Sequence, residues 1–438
     1  MRNSELTRVL RLAFPAALKH LLDILQILID MIMVGMLNVY ALAAVGMSMQ
    51  FMMVINALMT LYVVGGNAVI ARLIGERRRH RASALMYTLI LFALLLSLPV
   101  AMAGYAFAGD FYLWMGAADE VAAFGGIYFS VISLGIAVIF LDTLFFNALS
   151  AAGDTTSSLY IKAASAAVNL LLNYLLIFGH GGFEPMGIAG AAYATLIAYG
   201  CNIVAYMVLL MRSRIRLGLI RRFCLRDLQR VLKVGGSAAL ERSISVASFI
   251  IFVAVITSYG TSALAGYQVG LRIEGIAFMP GFGFAIAAMA LVGQNLGAKN
   301  PDLAYRSALL SAKSAAWFMG SIGLVMVIVP EPFVALFTDD GPTIEQASLY
   351  LRLVGISQVP LAMTFVLSGA LRGAGATKTT LKINVASLWL LRVIPSYIAM
   401  KLGYGILAVY IIMTVETFVK GGIFWAVFQR REWQKIKV

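Results

Sequence analysis

Four polar side chains recur along the first long apolar run of the sequence. Lys19, Asp23, Gln26 and Asp30 are four, three and four residues apart, a spacing that puts them on one face of an α-helix. Charged groups at membrane depth are costly and usually face a cavity or the interior of a helix bundle. The spacing therefore predicts a polar stripe in a cavity wall, with chemistry suited to binding cations or carrying protons.

Asp30 differs from the rest of this stripe because nothing one turn away in its own helix balances its charge. Lys19 and Asp23 are one turn apart and could simply neutralise each other. If they do only that, joint replacement by Met and Leu should be tolerated better than loss of either alone. No basic residue lies one turn from Asp30. Desolvation of an unpaired carboxylate favours its protonated form, so we expect Asp30 to bind and release protons.

Other apolar runs of the first half hold further candidates. Asp142 is a second acid with no partner visible in the sequence. Asn169 and Asn173 are four residues apart and share a helix face, where asparagines often do no more than join helices. Their alternative role is a hydrogen-bond network with Asp30, and the sequence leaves both roles open.

The second half carries charges of its own. Glu241 lies in the middle of an apolar run and is a candidate site for a cation or a proton. Arg242, Arg272 and Glu274 follow it and could form an interhelical ion-pair network. Glu274 is also a candidate for binding a cationic substrate.

The elements that must position these groups are membrane helices. The chain has 438 residues, of which 61% are hydrophobic and 12% charged, with a mean hydropathy of +0.89; soluble proteins average about 25% charged residues. Twelve apolar runs are long enough to cross a bilayer. They fall at roughly 9–36, 42–71, 84–108, 121–149, 158–179, 186–211, 232–259, 262–292, 307–330, 346–371, 380–401 and 404–428. We therefore expect an all-α integral membrane protein with twelve transmembrane helices.

The motifs of common enzyme classes do not appear in the sequence. It has no Walker loop, HExxH or GxSxG motif and no nucleophile–base constellation, which argues against an enzyme and against direct use of ATP. The two cysteines, Cys201 and Cys224, suggest neither a disulfide framework nor a zinc site. We expect no cofactor other than a coupling ion.

The net charge of +14 is distributed in a way that indicates membrane topology rather than nucleic-acid binding. Basic clusters follow the second and sixth apolar runs and end the chain, in "RLIGERRRHR", "RSRIRLGLIRRFCLRDLQRVLK" and "QRREWQKIKV", whereas the other connections are acidic or neutral. By the positive-inside rule, both termini and the basic connections should lie in the cytoplasm, in contact with anionic lipid. We expect a multi-pass protein of the cell inner membrane without a cleavable signal peptide.

The sequence also repeats itself. "ALSAAGDTTSSL" at 148–159 matches "ALRGAGATKTTL" at 370–381, an offset of 222, and "ALAAV" at 41–45 falls on "ALAGY" at 263–267. Six helices in each half give both halves the same orientation, an arrangement found in transporters. The repeat predicts two lobes related by a parallel internal repeat, 1–211 and 235–438, joined by a cytoplasmic basic linker at 212–234. Glu241 falls where the first lobe has Lys19.

Several stretches together resemble one transporter family over essentially the whole chain. They are "DMIMVGMLNVYALAAVG", "ALSAAGDTTSSLYIKAASAAVNLLLNYLLIFG", "MGIAGAAYAT", "AFMPGFGFAIAAMALVGQNLGA" and "LSGALRGAGATKTTLKI", which are similar to the multidrug and toxic compound extrusion (MATE) transporters. The resemblance implies twelve helices in two six-helix lobes. It also implies export of organic cations and drugs by antiport with inward-moving H⁺ or Na⁺.

The resemblance also implies roles for individual residues. Asp30 takes the place of the family's helix-one aspartate, where ions couple to transport, and Asn169 and Asn173 take helix-five places near it. Thr195 matches a helix-six position, and Glu241 matches the helix-seven glutamate of the second lobe. A Na⁺ site near Asp30 or Glu241 is possible on this comparison. Some members carry aspartate where Asn173 stands, which weighs against a proton site made of two carboxylates.

The expected substrate is an organic cation, which carboxylate and amide groups would attract. We therefore expect contacts with Gln26, Asp30, Asp142, Glu241 and Glu274. One sodium-coupled branch of the family has an aspartate at the place of Leu361, so that branch's full sodium site is not expected here.

Two other functions stay open at this point. A lipid-linked oligosaccharide flippase of the same wider superfamily would need a large cationic cavity, whereas the intramembrane acids and bases are equal in number. The acids are Asp23, Asp30, Asp142, Glu241 and Glu274; the bases are Lys19, Arg242, Arg272, Arg352 and Arg392. A non-transporting scaffold would not explain an unpaired Asp30. A two-lobed unit of this kind can work as a monomer.

Overall fold

The first half of the chain forms six membrane spans. The computed structural model describes residues 2–211 and 217–436. Its first half holds α1 (Arg2–Gly35), α2 (Val39–Gly75), α3 (Arg79–Ala106), the short α4 (Ala108–Trp114), α5 (Asp119–Leu134), α6 (Ile136–Ala152), α7 (Thr156–Phe178) and α8 (Ile188–Met211). The pair α5 and α6 bends by 56° and forms the fourth span.

The second half repeats this order. It holds α9 (Leu225–Thr257), α10 (Thr261–Gly297), α11 (Pro301–Ile328), the short α12 (Glu331–Val334), α13 (Gly341–Ile356), α14 (Gln358–Gly373), α15 (Thr377–Ala386), α16 (Ile394–Lys401) and α17 (Ile406–Gln429). The pair α13 and α14 bends by 59°, as its counterpart does in the first half. A π-helical segment, Ser387–Val393, joins α15 to α16 within the eleventh span.

The twelve predicted spans are confirmed. Within residues 2–211 and 217–436, nine spans qualify by length and hydropathy, and the two bent pairs raise the number to eleven. The twelfth is α1, which carries the polar stripe of Lys19, Asp23, Gln26 and Asp30. The fold is therefore an all-helical membrane protein of two six-helix lobes.

The linker is shorter than the sequence suggested. Its first part, 212–216, lies outside the described residues. Residues 217–224 have no regular structure, but α9 begins at Leu225. Residues 225–234, which the sequence placed in the linker, instead form about three helical turns, because their apolar positions pack on the other lobe.

The first turns of each lobe's first helix pack in the hydrophobic core of the other lobe. Val9 and Leu12 of α1 belong to a hydrophobic core of the second lobe, while Leu228 and Val231 of α9 belong to that of the first. Val9 and Val231 differ by the repeat offset of 222, so the exchange follows the internal symmetry. The exchange occurs at the end of the bundle that also carries residues 2 and 436 and the connections 76–78 and 298–300. We call this end the basic end.

Glycines allow the lobes to come very close at the basic end. A Cβ atom on Gly235 of α9 would lie 1.6 Å from the Leu61 carbonyl oxygen of α2, and one on Gly65 would lie 2.1 Å from that of Val231. Such backbone contact is possible only for residues without a side chain. The lobes are thus packed backbone to backbone at this end.

Polar contacts also join the lobes at the basic end, and together with the backbone packing they form a seal between the lobes. Arg81 of α3 donates two hydrogen bonds to buried Asp227 of α9, at 2.6 and 2.7 Å. Gln294 of α10 accepts from Arg8 at 2.8 Å and donates to the Ala151 carbonyl at 2.7 Å. Within the described part of the chain, the hydrogen bonds and ion pairs that join the lobes all lie near the basic end.

Candidate functional site

A cavity of about 590 Å³ lies in the first lobe, beyond the seal at the basic end. Its wall is made by α1, α2, α5, α6 and α8, with two residues of the second lobe, Arg242 and Ile286. The whole stripe predicted on α1 lines it: Lys19, Asp23, Gln26 and Asp30. The predicted polar stripe therefore does face a cavity, as its helical spacing indicated.

A charge network joins the first part of this stripe to α7. Lys19 Nζ donates to Asp23 Oδ2 at 2.7 Å, as the simple pairing predicted. Lys162 Nζ of α7 lies 2.9 Å from Asp23 Oδ1 and donates to Gln26 Oε1 at 2.5 Å. The Lys19–Asp23 pair is therefore a cluster of two ammonium groups, one carboxylate and one amide.

Lys162 is a site residue that sequence reasoning missed, although a signal was present. It stands seven residues before Asn169 and eleven before Asn173, so all three share one face of α7. The side chain of Lys162 is 1% exposed. A fully buried ammonium needs a counter-charge, and Asp23 supplies it.

The second part of the stripe is a separate cluster. Asn173 Nδ2 donates to Asp30 Oδ1 at 2.5 Å and to Asn169 Oδ1 at 3.3 Å. The structure thus links Asp30 to Asn173 directly and to Asn169 through Asn173, the network that was the alternative to simple helix joining. Thr195 lines the same cavity. No cation lies within ion-pair distance of Asp30 in the described residues.

Asp142 faces the same cavity from α6. Its side chain is buried, and Oδ1 accepts a hydrogen bond from Asn202 Nδ2 at 2.8 Å. The sequence showed no partner because Asn202 stands sixty residues further along the chain.

Glu241 does not face the cavity. Its carboxylate accepts from Arg372 Nη2 at 2.5 Å, from Thr380 Oγ1 at 2.8 Å and from Asn384 Nδ2 at 2.6 Å. These partners lie on α14 and α15, so the group is held inside the second lobe. Arg372 neutralises it, rather than Arg242 as adjacency in sequence would suggest.

The ion-pair network expected among Arg242, Arg272 and Glu274 is wrong. In the described residues none of the three forms an ion pair. Glu274 instead accepts from Tyr350 at 2.5 Å and from Gln358 at 3.4 Å, and it lies away from the cavity of the first lobe. Its burial among neutral donors places it in the interior of the second lobe.

A second ion network in that lobe joins Arg392, which was counted among the intramembrane bases, to two residues that the sequence analysis did not name. Arg392, in the π-helical segment, donates to Glu416 at 2.5 Å, and Lys420 lies 2.9 Å from the same carboxylate. Glu416 and Lys420 are one turn apart on α17, so their pairing could have been read from the sequence. Arg352, which was counted as an intramembrane base, pairs with Glu331.

The cavity wall of the first lobe has chemistry for cations and protons. Asp30 and Thr195 line the cavity, and Asn173 and Asn169 lie behind Asp30 in one hydrogen-bond chain. Together they offer carboxylate, amide and hydroxyl oxygens, the ligands that hard cations such as Na⁺ prefer. Clusters of three or more histidine, cysteine or acidic residues that could hold a metal ion are absent from residues 2–211 and 217–436. An ion at Asp30 would therefore depend mainly on neutral oxygens.

The architecture places the chain among two-lobed membrane transporters. A sequence profile of the MatE family matches residues 15–175 and again 238–398, one match in each lobe. The chain belongs to the MatE family, and it is a MATE transporter.

Individual relatives are distant but cover nearly the whole chain. A probable multidrug resistance protein NorM of Thermotoga maritima is 26% identical over 98% of this chain and 93% of its own length. An FAD transporter of Shewanella oneidensis is 24% identical over 87% of this chain and 86% of its own length. Both alignments span the two lobes.

Solved structures share the fold. The Vibrio cholerae MATE transporter VcmN in its bent form superimposes with a TM-score of 0.91 at 22% identity, over 98% of this chain and 97% of that one. A MOP superfamily transporter of Pyrococcus furiosus, described as having a binding pocket of reverse polarity, gives 0.90 at 21% identity, over 99% and 97%. These likenesses establish the two-lobed architecture.

Proposed function

We propose that this protein exports drug-like amphiphilic molecules, organic cations among them, by antiport with H⁺ or Na⁺ entering at Asp30. The observation that carries the proposal is that Asp30 lines the cavity and accepts a hydrogen bond from buried Asn173. The resemblance to multidrug resistance proteins named NorM supports the substrate class.

The basic end gives the proposed orientation. If it lies in the cytoplasm, as the positive-inside rule suggests, the seal between the lobes closes the cytoplasmic side. The cavity then belongs to an outward-facing state, in which Asp30 can receive an ion from outside. Both termini lie in the cytoplasm of a cell in whose inner membrane the protein resides.

The Asn173 amide suits a proton that comes and goes. When Asp30 is ionised, Asn173 Nδ2 donates to it, as observed. When Asp30 is protonated, its O–H needs an acceptor, and Asn173 Oδ1 is buried without a hydrogen-bond partner among the described residues. Rotation of the amide would satisfy both states, and protonation would also remove the charge that attracts a cationic substrate.

Coupling then follows from the position of α1. This helix carries Asp30, and its first turns pack on the second lobe through Val9 and Leu12. A protonation event shifts the lobes only by its difference in free energy between the two states. A tenfold difference in proton affinity corresponds to about 1.4 kcal/mol.

The flippase alternative receives no support from this cavity. Its charged wall residues are Lys19, Asp23, Asp30, Asp142 and Arg242. Even with Lys162, which pairs with Asp23 behind the wall, the bases do not outnumber the acids, whereas lipid-linked phosphates require a surplus of bases.

The test is purified protein in liposomes with a fluorescent cationic dye. Separate H⁺ and Na⁺ gradients of equal size are imposed, and dye movement is recorded. Dye movement against its gradient, driven by either ion, would support antiport. Dye movement under neither gradient would contradict the proposal.

A further inference from the structure

Arg242 is the charged residue that the second lobe contributes to the cavity. It lies halfway along α9, is exposed, and faces the α1 stripe across the cavity. The other residue of that lobe in the wall is apolar Ile286. Among the described residues, the second lobe therefore offers one guanidinium to whatever occupies the cavity.

The residue that adjacency suggests as its counter-ion is already used. Glu241 turns away from the cavity and accepts three hydrogen bonds, from Arg372, Thr380 and Asn384. In the described part of the chain, no carboxylate lies within ion-pair distance of Arg242. An arginine at membrane depth is costly unless it faces water or a partner. Arg242 faces the cavity, so its guanidinium is available to a ligand there.

The acids across the cavity have partners of their own. Asp23 is held between Lys19 and Lys162. Asp142 accepts from Asn202 at 2.8 Å, and Asp30 accepts from Asn173 at 2.5 Å. In the described residues, neither Asp142 nor Asp30 has an ammonium or guanidinium within ion-pair distance. Asp142 is buried, whereas Asp30 is partly exposed. The accessible anionic position of the cavity is therefore Asp30, in the first lobe, and the free cationic position is Arg242, in the second.

The rest of the wall suits an apolar body between these two positions. Four methionines of α2 line it, Met49, Met52, Met53 and Met59. Methionine side chains are flexible and polarisable, and they adapt to aromatic ligands of different shapes. Phe146 and Tyr199 add aromatic surface on other helices of the wall.

We propose that Arg242 binds a carboxylate of the transported molecule, so that the cavity prefers zwitterionic amphiphiles over simple organic cations. A guanidinium binds a carboxylate through two parallel hydrogen bonds, which gives both strength and orientation. The basic group of the same molecule occupies the position of Asp30. This inference rests on the proposed export function and specifies its substrate class.

Such a substrate contacts both lobes at once. Its basic group lies on α1 and its carboxylate on α9, whereas a simple cation has a charged partner in the first lobe only. A ligand can bias a conformational equilibrium only through contacts that differ between the states. Arg242 therefore acts as a specificity residue and gives zwitterions a contact that changes when the lobes move.

The experiment uses two fluorescent ligands that differ in one group, a rhodamine dye with a free carboxylate and its ethyl ester. Binding to purified protein is followed by fluorescence anisotropy, and export is followed in liposomes. The wild type should bind the carboxylate dye about tenfold more tightly than the ester, equivalent to about 1.4 kcal/mol. Arg242→Gln should remove this preference, Arg242→Lys should keep part of it, and Arg242→Glu should reverse it.

Arg272→Gln is the matched control, because Arg272 is an exposed arginine of the same lobe that lies outside the cavity wall. It should retain the tenfold preference. Thermal unfolding of each variant identifies loss of fold, and Arg242→Lys keeps the test valid if Arg242→Gln is unstable.

The outcomes separate this inference from the export function. Equal affinity for both dyes in the wild type, or a preference that survives Arg242→Gln, would overturn the role of Arg242 even if both dyes are exported. Binding with the expected preference but without export under any ion gradient would contradict the export function and leave the carboxylate site standing.

Discussion

At the residue scale, Asp23 and Asp30 lie on one face of α1 and differ in whether nearby positive charges balance them. Asp23 lies between two ammonium groups, at 2.7 Å from Lys19 and 2.9 Å from Lys162. Asp30 has an amide partner only, Asn173. The first is fixed as a carboxylate by its neighbours, whereas the second can change its charge without leaving an ion unpaired. This difference supports a structural role for Asp23 and the coupling role proposed for Asp30.

Asp23→Asn should destabilise the protein more than Lys19→Met does. Loss of the carboxylate leaves Lys19 and Lys162 close together without a counter-charge, and breaking a buried ion cluster in this way typically costs about 3–5 kcal/mol. Thermal unfolding in detergent measures the effect. A simple pair would tolerate joint replacement of Lys19 and Asp23 by Met and Leu. Here this replacement should also be poorly tolerated, because it leaves Lys162 without a counter-charge.

Asp302→Asn provides the control for this prediction. Asp302 pairs with Arg431 at 3.1 Å at the surface, with its side chain 74% exposed, and such pairs contribute about 0–1 kcal/mol. If Asp23→Asn lowered the melting temperature no more than Asp302→Asn, the buried network would not stabilise the first lobe.

At the element scale, α2 and α9 form the tightest seam between the lobes. Gly235 of α9 touches the backbone of α2, whereas its neighbour Gly236 has nothing within 4 Å of an added Cβ. Packing against α2 therefore requires glycine at position 235 but not at the adjacent position 236.

Gly235→Ala should open the basic end, whereas Gly236→Ala should not. A Cβ at 1.6 Å from the Leu61 carbonyl oxygen cannot be accommodated, so α2 and α9 must separate. The measurement is maleimide labelling of a single cysteine placed at Leu61, in a background with Cys201 and Cys224 replaced by Ser. Faster labelling in Gly235→Ala alone is the expected result; equal labelling in both variants would show that this contact does not hold the seam.

The elements also show what the sequence could predict. The α1 stripe and the Asn169–Asn173 pair were found because spacing within one helix is visible in the chain itself. The same reading would have found Lys162. The partner of Glu241 could not be found that way, because Arg372 is 131 residues distant and meets it only after α9 packs against α14 and α15.

At the scale of the whole molecule, the lobes are joined at the basic end by Arg81 with Asp227 and by Gln294 with Arg8 and Ala151. The repeat predicted two lobes of equal topology. It could not predict which end is closed, because both ends of such a bundle are closed in turn during transport.

A reversible cross-link across the basic end should stop export. Arg81 of α3 and Asp227 of α9 meet at this end, where the guanidinium donates to both carboxylate oxygens. Cysteines at these two places can be joined by a bis-methanethiosulfonate reagent, and reduction breaks its links to the protein. Arg81→Cys with Asp227→Cys, in the background without Cys201 and Cys224, should lose dye export on treatment with this reagent and regain it on reduction. Each single variant is a control, and export that survives complete cross-linking would contradict opening at this end.

The central claim is that ion entry through Asp30 drives export. It is tested most directly by recording proton movement, Na⁺ movement and dye uptake together in everted membrane vesicles, for the wild type, Asp30→Asn and Asp30→Glu. The amide keeps the size and hydrogen-bonding capacity of the side chain and removes the ionisable carboxylate. The account predicts that Asp30→Asn folds and binds dye but shows neither gradient-driven uptake nor dye-dependent ion movement, while Asp30→Glu retains part of both. Gradient-driven uptake by Asp30→Asn at the wild-type rate would contradict it.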